Sequence, residues 1–410
     1  MKNRIKILVI AFINYSTAFI YRIIGKRDSN RVLVVTPSWE GSLGDEAVLT
    51  AITARLAKEG KEVTLIHWGD SSEWNCLKYV SSKISMTHFF QTGGWKDQLR
   101  LIFLLPRYNG FYLMGTDMLD GCYADWLTLG MLRITHQAAM TGMRTTLVGF
   151  SINTWQNSNC IAALKSMPSS VRFCVRDEVS LERIKNLTGR ASAMLTADMA
   201  FLLEPDSNDA VVSNALEWIH VQHQNQRIVV GININPQLSD GSETFLDSMV
   251  THLSDAMKQL QKTYNEPLSF LLLPHDFRSY NSDVILLESL FRKLEGLEAG
   301  SFYFLRNKPS AAGIKAIVQE LDVVMTGRMH IAIATLGSQK PLGCLVYQGK
   351  FEGLFRHFKL SDQFLLQPSS ALNTNVLFDF LKNLLNHRNF LQQQIRDHWE
   401  DVKRRSSANL

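Results

Sequence analysis

The strongest constraint on this chain is a pattern that runs, breaks and starts again. Short apolar runs alternate with helix-period segments from Arg31 onward, and the alternation restarts beyond a polar, proline-containing stretch at 204–209. In the first half the runs at 31–36, 63–68, 110–114, 145–150 and 172–175 read as buried strands. In the second half the strand candidates are 228–234, 268–273, 301–305, 323–326 and 342–346, with helical segments at 242–264, 284–294 and 311–321. Strands separated by helices build parallel sheets covered on both faces. Two such halves predict an α/β protein of two Rossmann-like domains facing a cleft, where ligands prefer to bind. The expected segments are a hydrophobic stretch at 1–27, domains at 28–205 and 206–372, and a helical tail at 373–410.

Composition agrees and narrows the function. A chain of 410 residues has room for two domains, and its formal charge of +5 is a mild basic excess with no concentrated patch. Nucleic-acid binding therefore has no sequence support. The five cysteines are far apart and show no C-x-x-C or Cys/His spacing, so they read as reduced thiols in a cytoplasmic protein rather than zinc ligands. On that reading the sequon Asn186-Leu187-Thr188 carries no glycan. No D-x-D, H-E-x-x-H or G-x-S-x-G element is present, which disfavours a dedicated metal site and a serine hydrolase. Residues 5–24 form an apolar run with basic residues on both sides, interrupted by Asn14, Ser16, Thr17 and Arg22. It suits a helix lying on a membrane surface, with a helix packed on the protein body and a true span as alternatives.

Several motifs then sit where chemistry is expected. The turn Gly41-Ser42-Leu43-Gly44-Asp45-Glu46 joins the first strand to the first helix. Glycines let a ligand approach the backbone, and a helix N-terminus favours an anion. The same residues also suit a plain tight turn in which Asp45 and Glu46 complement the helix dipole. In the second half, Thr326-Gly327-Arg328-Met329-His330 ends a buried strand. Read as extended chain, Arg328 and His330 would face one side, pairing an anion-binding guanidinium with a proton donor or acceptor. A structural ion pair or a helix cap accounts for the same residues. His275, after the strand at 268–273, Arg176, after the strand at 172–175, and Lys350, in the loop after the strand at 342–346, add further basic groups at strand ends. Arg176 either projects into a cleft or pairs with Asp177, which can cap the following helix.

Taken in order, these segments resemble the polysaccharide pyruvyl transferases. The resemblance rests on Gly41–Ala47, on Val175-Arg176-Asp177-Glu178-Val179-Ser180, on Asp198-Met199-Ala200-Phe201-Leu202-Leu203, and on the R-x-H element from Arg328 with a downstream Tyr347-Gln348-Gly349-Lys350. One departure is Met114-Gly115-Thr116-Asp117, which has a single glycine where the family often has two. The resemblance implies a fold of the glycosyltransferase B type, and transfer of a pyruvyl group from phosphoenolpyruvate onto two sugar hydroxyls as a ketal. It implies catalytic roles for His330 and Arg328 and substrate contacts from Gly41, Gly44, Asp45, Arg176, His275 and Lys350. No metal or cofactor would be needed, with phosphoenolpyruvate as co-substrate. The acceptor would be a bacterial surface or exopolysaccharide unit, polymeric or lipid-linked, met at the inner face of the cell membrane. A nucleotide-sugar glycosyltransferase of the same fold and a non-catalytic membrane scaffold are the competing readings.

Overall fold

A computed structural model describes residues 28–36, 38–69, 74–239, 241–279, 282–346 and 349–410. The apolar run at 5–24 lies outside these residues, as do Tyr347 and Gln348. No described helix is long and apolar enough to cross a membrane.

The chain forms two compact units, each built on one parallel sheet. The first comprises the described residues up to 39, with 49–199 and 405–410, and the second takes 40–48 and 200–404. In the first, strands β1 (Asp28–Val35), β2 (Glu62–His67), β3 (Ser82–Ser85), β4 (Tyr108–Met114), β5 (Arg144–Phe150), β6 (Arg172–Val175) and β7 (Met194–Leu195) lie in the order β3-β2-β1-β4-β5-β6-β7. Central strands of a parallel sheet are buried on both faces, which is why Val32 to Val35 and Thr145 to Phe150 read as continuous runs without polar alternation. The second unit repeats the plan with β8 (Ile228–Asn233), β9 (Leu268–Leu272), β10 (Phe302–Phe304), β11 (Val323–Thr326), β12 (Leu342–Leu345) and β13 (Leu365–Leu366), ordered β10-β9-β8-β11-β12-β13.

Two differences from the sequence expectation matter. The glycine turn, placed by sequence order with the first domain, packs within the second unit, because residues 41–43 pair with the segment after β9. The tail, expected only as a helical segment, forms two helices rather than one, and they pack on the protein. Helices Thr374–Asn386 and Arg388–Ser407 bury Leu377, Leu381, Leu384, Leu385, Leu391, Ile395 and Val402, and the last residues return to the first sheet. There Asn409 accepts from the Gly149 backbone N–H at 2.9 Å and from the Thr196 hydroxyl at 3.2 Å. Its amide donates to the Ala197 and Ser406 carbonyls, both at 2.8 Å. Replacing Asn409 by Ala strands buried partners on the sheet. The expected loss is about 1–3 kcal/mol, read from the urea midpoint. An unchanged midpoint would show that the tail contributes no stability through this side chain.

Candidate active site

The carboxyl ends of β8, β9 and β11 are neighbours in the second sheet, and a polar network closes over them. Asn233, the last residue of β8, donates to the Leu273 carbonyl at 2.9 Å and to Asp283 at 3.1 Å, and accepts from the Thr326 hydroxyl at 2.9 Å. One fully buried amide thus ties the three strand ends together. Beyond β11 the chain turns at once into helix Met329–Gly337, with Arg328 as its N-cap residue. The turn closes tightly because Gly327 faces Asn235 and Leu238, leaving no room for a side chain.

Arg328 and His330 therefore do not alternate along an extended strand. Arg328 is still extended, whereas His330 is the second residue of the helix. The Arg328 guanidinium grips Asp283 through Nε at 3.0 Å and a terminal nitrogen at 2.6 Å, while its other terminal nitrogen lies 3.4 Å from Asp276 and 3.3 Å from Gln237. Asp283 has no exposed surface and also accepts the backbone N–H of His275 at 2.9 Å. Burial pushes this carboxyl up, while the Arg328 charge and the hydrogen bonds from Arg328 and His275 pull it down. Asp276 in turn holds Arg278, at 2.6 Å and 3.0 Å. Carboxylate and guanidinium alternate along the row Asp283, Arg328, Asp276, Arg278.

The glycine turn lies against this row. Ser42 bridges Asp276 in antiparallel fashion, with Leu43 N–H donating to the His275 carbonyl at 3.2 Å and Phe277 N–H to the Gly41 carbonyl at 3.0 Å. Gly41 has φ +113°, a conformation that favours glycine, and a Cβ there would stand 2.8 Å from Arg278 Cγ. A Cβ at Gly44 would stand 2.7 Å from His330 Cγ and closer still to Nδ1. Each glycine thus admits one side chain from a strand-end segment. Asp45 is half-buried in the first helical turn, and its N–H donates to Ser42 Oγ at 3.4 Å. Glu46 is buried and accepts the Ala311 N–H at 2.7 Å, which pins the turn to helix Ala311–Glu320.

His275 and His330 stand ring to ring, with centroids 6.5 Å apart and planes 5° from parallel. Burial, followed by the neighbouring His330 and Arg328, holds His275 well below its ordinary value of 6.5, so it is neutral near pH 7. Its stabilising effect is complete above pH 6.5, and is lost as pH falls below that value because the unfolded chain then binds the proton more readily. The urea midpoint should fall between pH 7 and pH 5, by up to about 1.4 kcal/mol per pH unit for this one group. In His275→Asn that fall should shrink. An equal fall in the variant would assign the effect to other lowered histidines, His67 and His136.

Two further sequence candidates, Arg176 and Lys350, are carried by other elements. Arg176 belongs to the first unit, where it is buried and bound to Asp198 at 2.9 Å and to the Ser151 hydroxyl at 2.7 Å. It neither pairs with Asp177, which caps helix Glu178–Thr188 through the Ser180 N–H at 2.7 Å, nor presents an uncommitted guanidinium. Its ion pair with Asp198 instead joins the Val175–Ser180 and Asp198–Leu203 segments. Lys350 is buried at the start of helix Phe351–His357. Sequence reasoning missed Asp276, Arg278, Asp283 and Gln237. Only their positions just beyond β8 and β9 could have pointed to them. Among the described residues, no group of three or more His, Cys, Asp or Glu side chains is arranged to hold a metal.

Solved structures similar to this chain share its two-domain α/β fold, of the glycosyltransferase B type. They include S. aureus MnaA with UDP, at 10% identity over 89% of this chain and 90% of that one, with TM-score 0.58. Another is UDP-GlcNAc 2-epimerase from Neisseria meningitidis bound to UDP-GlcNAc, at 9% identity over 92% and 98%, with TM-score 0.57. A third is a glycosyltransferase from Rickettsia africae, at 9% identity over 93% and 97%, with TM-score 0.55. No curated protein sequence matches the chain. The family model for polysaccharide pyruvyl transferases, in contrast, matches residues 43–349. That span runs from the first helix through His275, Asp283, Arg328 and His330. The chain belongs to the polysaccharide pyruvyl transferase family.

Proposed function

We propose that this chain transfers the pyruvyl group of phosphoenolpyruvate onto two hydroxyls of one sugar in a surface polysaccharide or its lipid-linked precursor. The family match across residues 43–349 carries this reading, and the chemistry of the second unit's site suits it. In the reaction C3 of the enol ether takes a proton while C2 gains oxocarbenium character. One hydroxyl adds at C2, phosphate leaves, and a second hydroxyl closes the ketal. The first hydroxyl's proton replaces the one given to C3, and the second leaves with phosphate. His330 is the group placed to give and recover that proton, because an imidazole changes charge near neutral pH. Arg328 is committed to two buried carboxylates, so its part is to fix the segment that carries His330. Arg278 is partly exposed and bound to Asp276, and as a guanidinium at the rim of the row it suits the substrate's carboxylate or phosphate. No resident cofactor enters this scheme. Phosphoenolpyruvate is a cytoplasmic metabolite, so the site would face the cytoplasm, with a lipid-linked acceptor presented at the membrane's inner face.

The test is phosphate release from phosphoenolpyruvate by purified protein, with and without galactose-, glucose- and mannose-terminated acceptors. Acceptor-dependent release, with an acceptor mass gain of one pyruvyl ketal, is the expected result. Silence across the panel, with thermal stabilisation by a nucleotide sugar and none by phosphoenolpyruvate, would replace this reading with a glycosyltransferase.

A further inference from the structure

The first unit carries a group of tryptophans that the reaction scheme does not use. Trp39 follows β1, Trp68 follows β2, and Trp126 opens helix Asp125–Met140 after β4. Trp39 and Trp68 are stacked with centroids 4.3 Å apart, and Trp68 meets Trp126 edge-on at 5.4 Å. Trp68 is almost covered, whereas Trp39 and Trp126 remain 39% and 40% exposed. Tyr123, also 42% exposed, donates to Asp117 at 2.9 Å on the same strand-end segment as Trp126.

Position and charge together indicate what covers these rings. In the order β3-β2-β1-β4 the connections leave β1 in one direction and β4 in the other, so the three tryptophans straddle the point where the sheet switches direction. Open α/β sheets bind ligands at the carboxyl ends of strands at that point. The described positions 36, 38, 39, 68, 69, 74, 75 and 115–125 contain no Lys or Arg, and carry Asp117 and Asp125 as carboxylates that are at least partly exposed. Such a surface repels a nucleotide diphosphate or another anion. A neutral pyranose suits it, because its C–H face packs on an indole and its rim hydroxyls donate to carboxylates.

We infer that Trp39, Trp68 and Trp126 form a stacking platform for a pyranose ring of the acceptor glycan. The inference rests on the sugar-acceptor reading above, and it assigns the first unit a neutral-saccharide subsite. Its test begins without phosphoenolpyruvate. Calorimetric titration of the full chain with neutral galactose-, glucose- and mannose-containing oligosaccharides should show binding by at least one. W39A and W126A should each weaken that binding at least tenfold, and W126F should restore most of it. Because Trp39 packs on Trp68, W39A is first checked for an intact thermal transition, and W126A supplies the result if W39A unfolds. In turnover, both variants should raise the acceptor KM while leaving kcat and the phosphoenolpyruvate KM within twofold.

Unchanged saccharide affinity in W126A, binding of UDP that disappears with the tryptophans, or no saccharide binding by the wild-type chain would each overturn the platform. Tryptophan-dependent saccharide binding without any phosphate release would keep the platform and remove the pyruvyl reading. Acceptor-dependent release with an unaltered acceptor KM in both variants would do the reverse.

Discussion

His330→Ala should lower acceptor-dependent phosphate release by about 100- to 10,000-fold, the range a positioned general acid or base supplies, with its denaturation midpoint close to that of the wild-type chain. The ring is half-buried at the start of helix Met329–Gly337, outside the buried ion pair of Arg328 and Asp283. His330→Gln keeps polar capacity but cannot cycle a proton, so it should be as slow as the alanine variant. Gly44→Ala tests placement instead of chemistry. Its new methyl would collide with His330 Nδ1 and Cγ, so the ring must move or the helix start must shift. A displacement of about 1 Å in a reacting group can cost about 100-fold, and the loss should fall mainly on kcat. Normal turnover by His330→Ala would end the proton-transfer role. Normal turnover by Gly44→Ala alone would show that the ring position can relax without penalty.

The alternation of apolar runs with helices made both sheets legible in the sequence, because a central parallel strand must be apolar on both faces. What it could not show was the edge. Ser82–Ser85, Met194–Leu195 and Leu365–Leu366 are short, and two to four residues carry no usable period. The R-x-H element was legible as a strand-end feature, but its geometry was not. Period two applies only to extended chain, and the helix begins between the two residues. The partners of Arg328 were hidden for a different reason. Asp276 and Asp283 are far away in the chain, and only the sheet order brings the ends of β9 and β11 to either side of β8. Asn409 was invisible on the same grounds, since a polar residue in a basic tail carries no signal that its amide bonds the carboxyl end of β5. The glycine turn shows the limit of motif reading most clearly. Its two glycines were read as room for an anion, while the structure fills the space beside them with Arg278 and His330.

Arg328→Ala should destabilise the second unit by about 3–5 kcal/mol, the cost of leaving a buried carboxylate without its counter-charge. Asp283 is fully buried, and the Arg328 guanidinium is the cation that holds it, by two nitrogens. The loss should appear in the urea midpoint before it appears in any kinetic constant. Arg328→Lys should recover only part of it, because an ammonium cannot reproduce the paired N–H geometry toward Asp283 while also reaching Asp276 and Gln237. Asp283→Asn should be costly from the other side, since it removes the nearer of the two carboxylates beside the buried guanidinium and offers one fewer oxygen to the His275 N–H and Asn233. In the double variant Arg328→Ala, Asp283→Asn, the loss should be smaller than the sum of the single losses, because neither charge is then left alone. Strict additivity would mean that the two side chains act independently. It would return Arg328 from a residue that fixes the His330 segment to one whose main partner is the substrate.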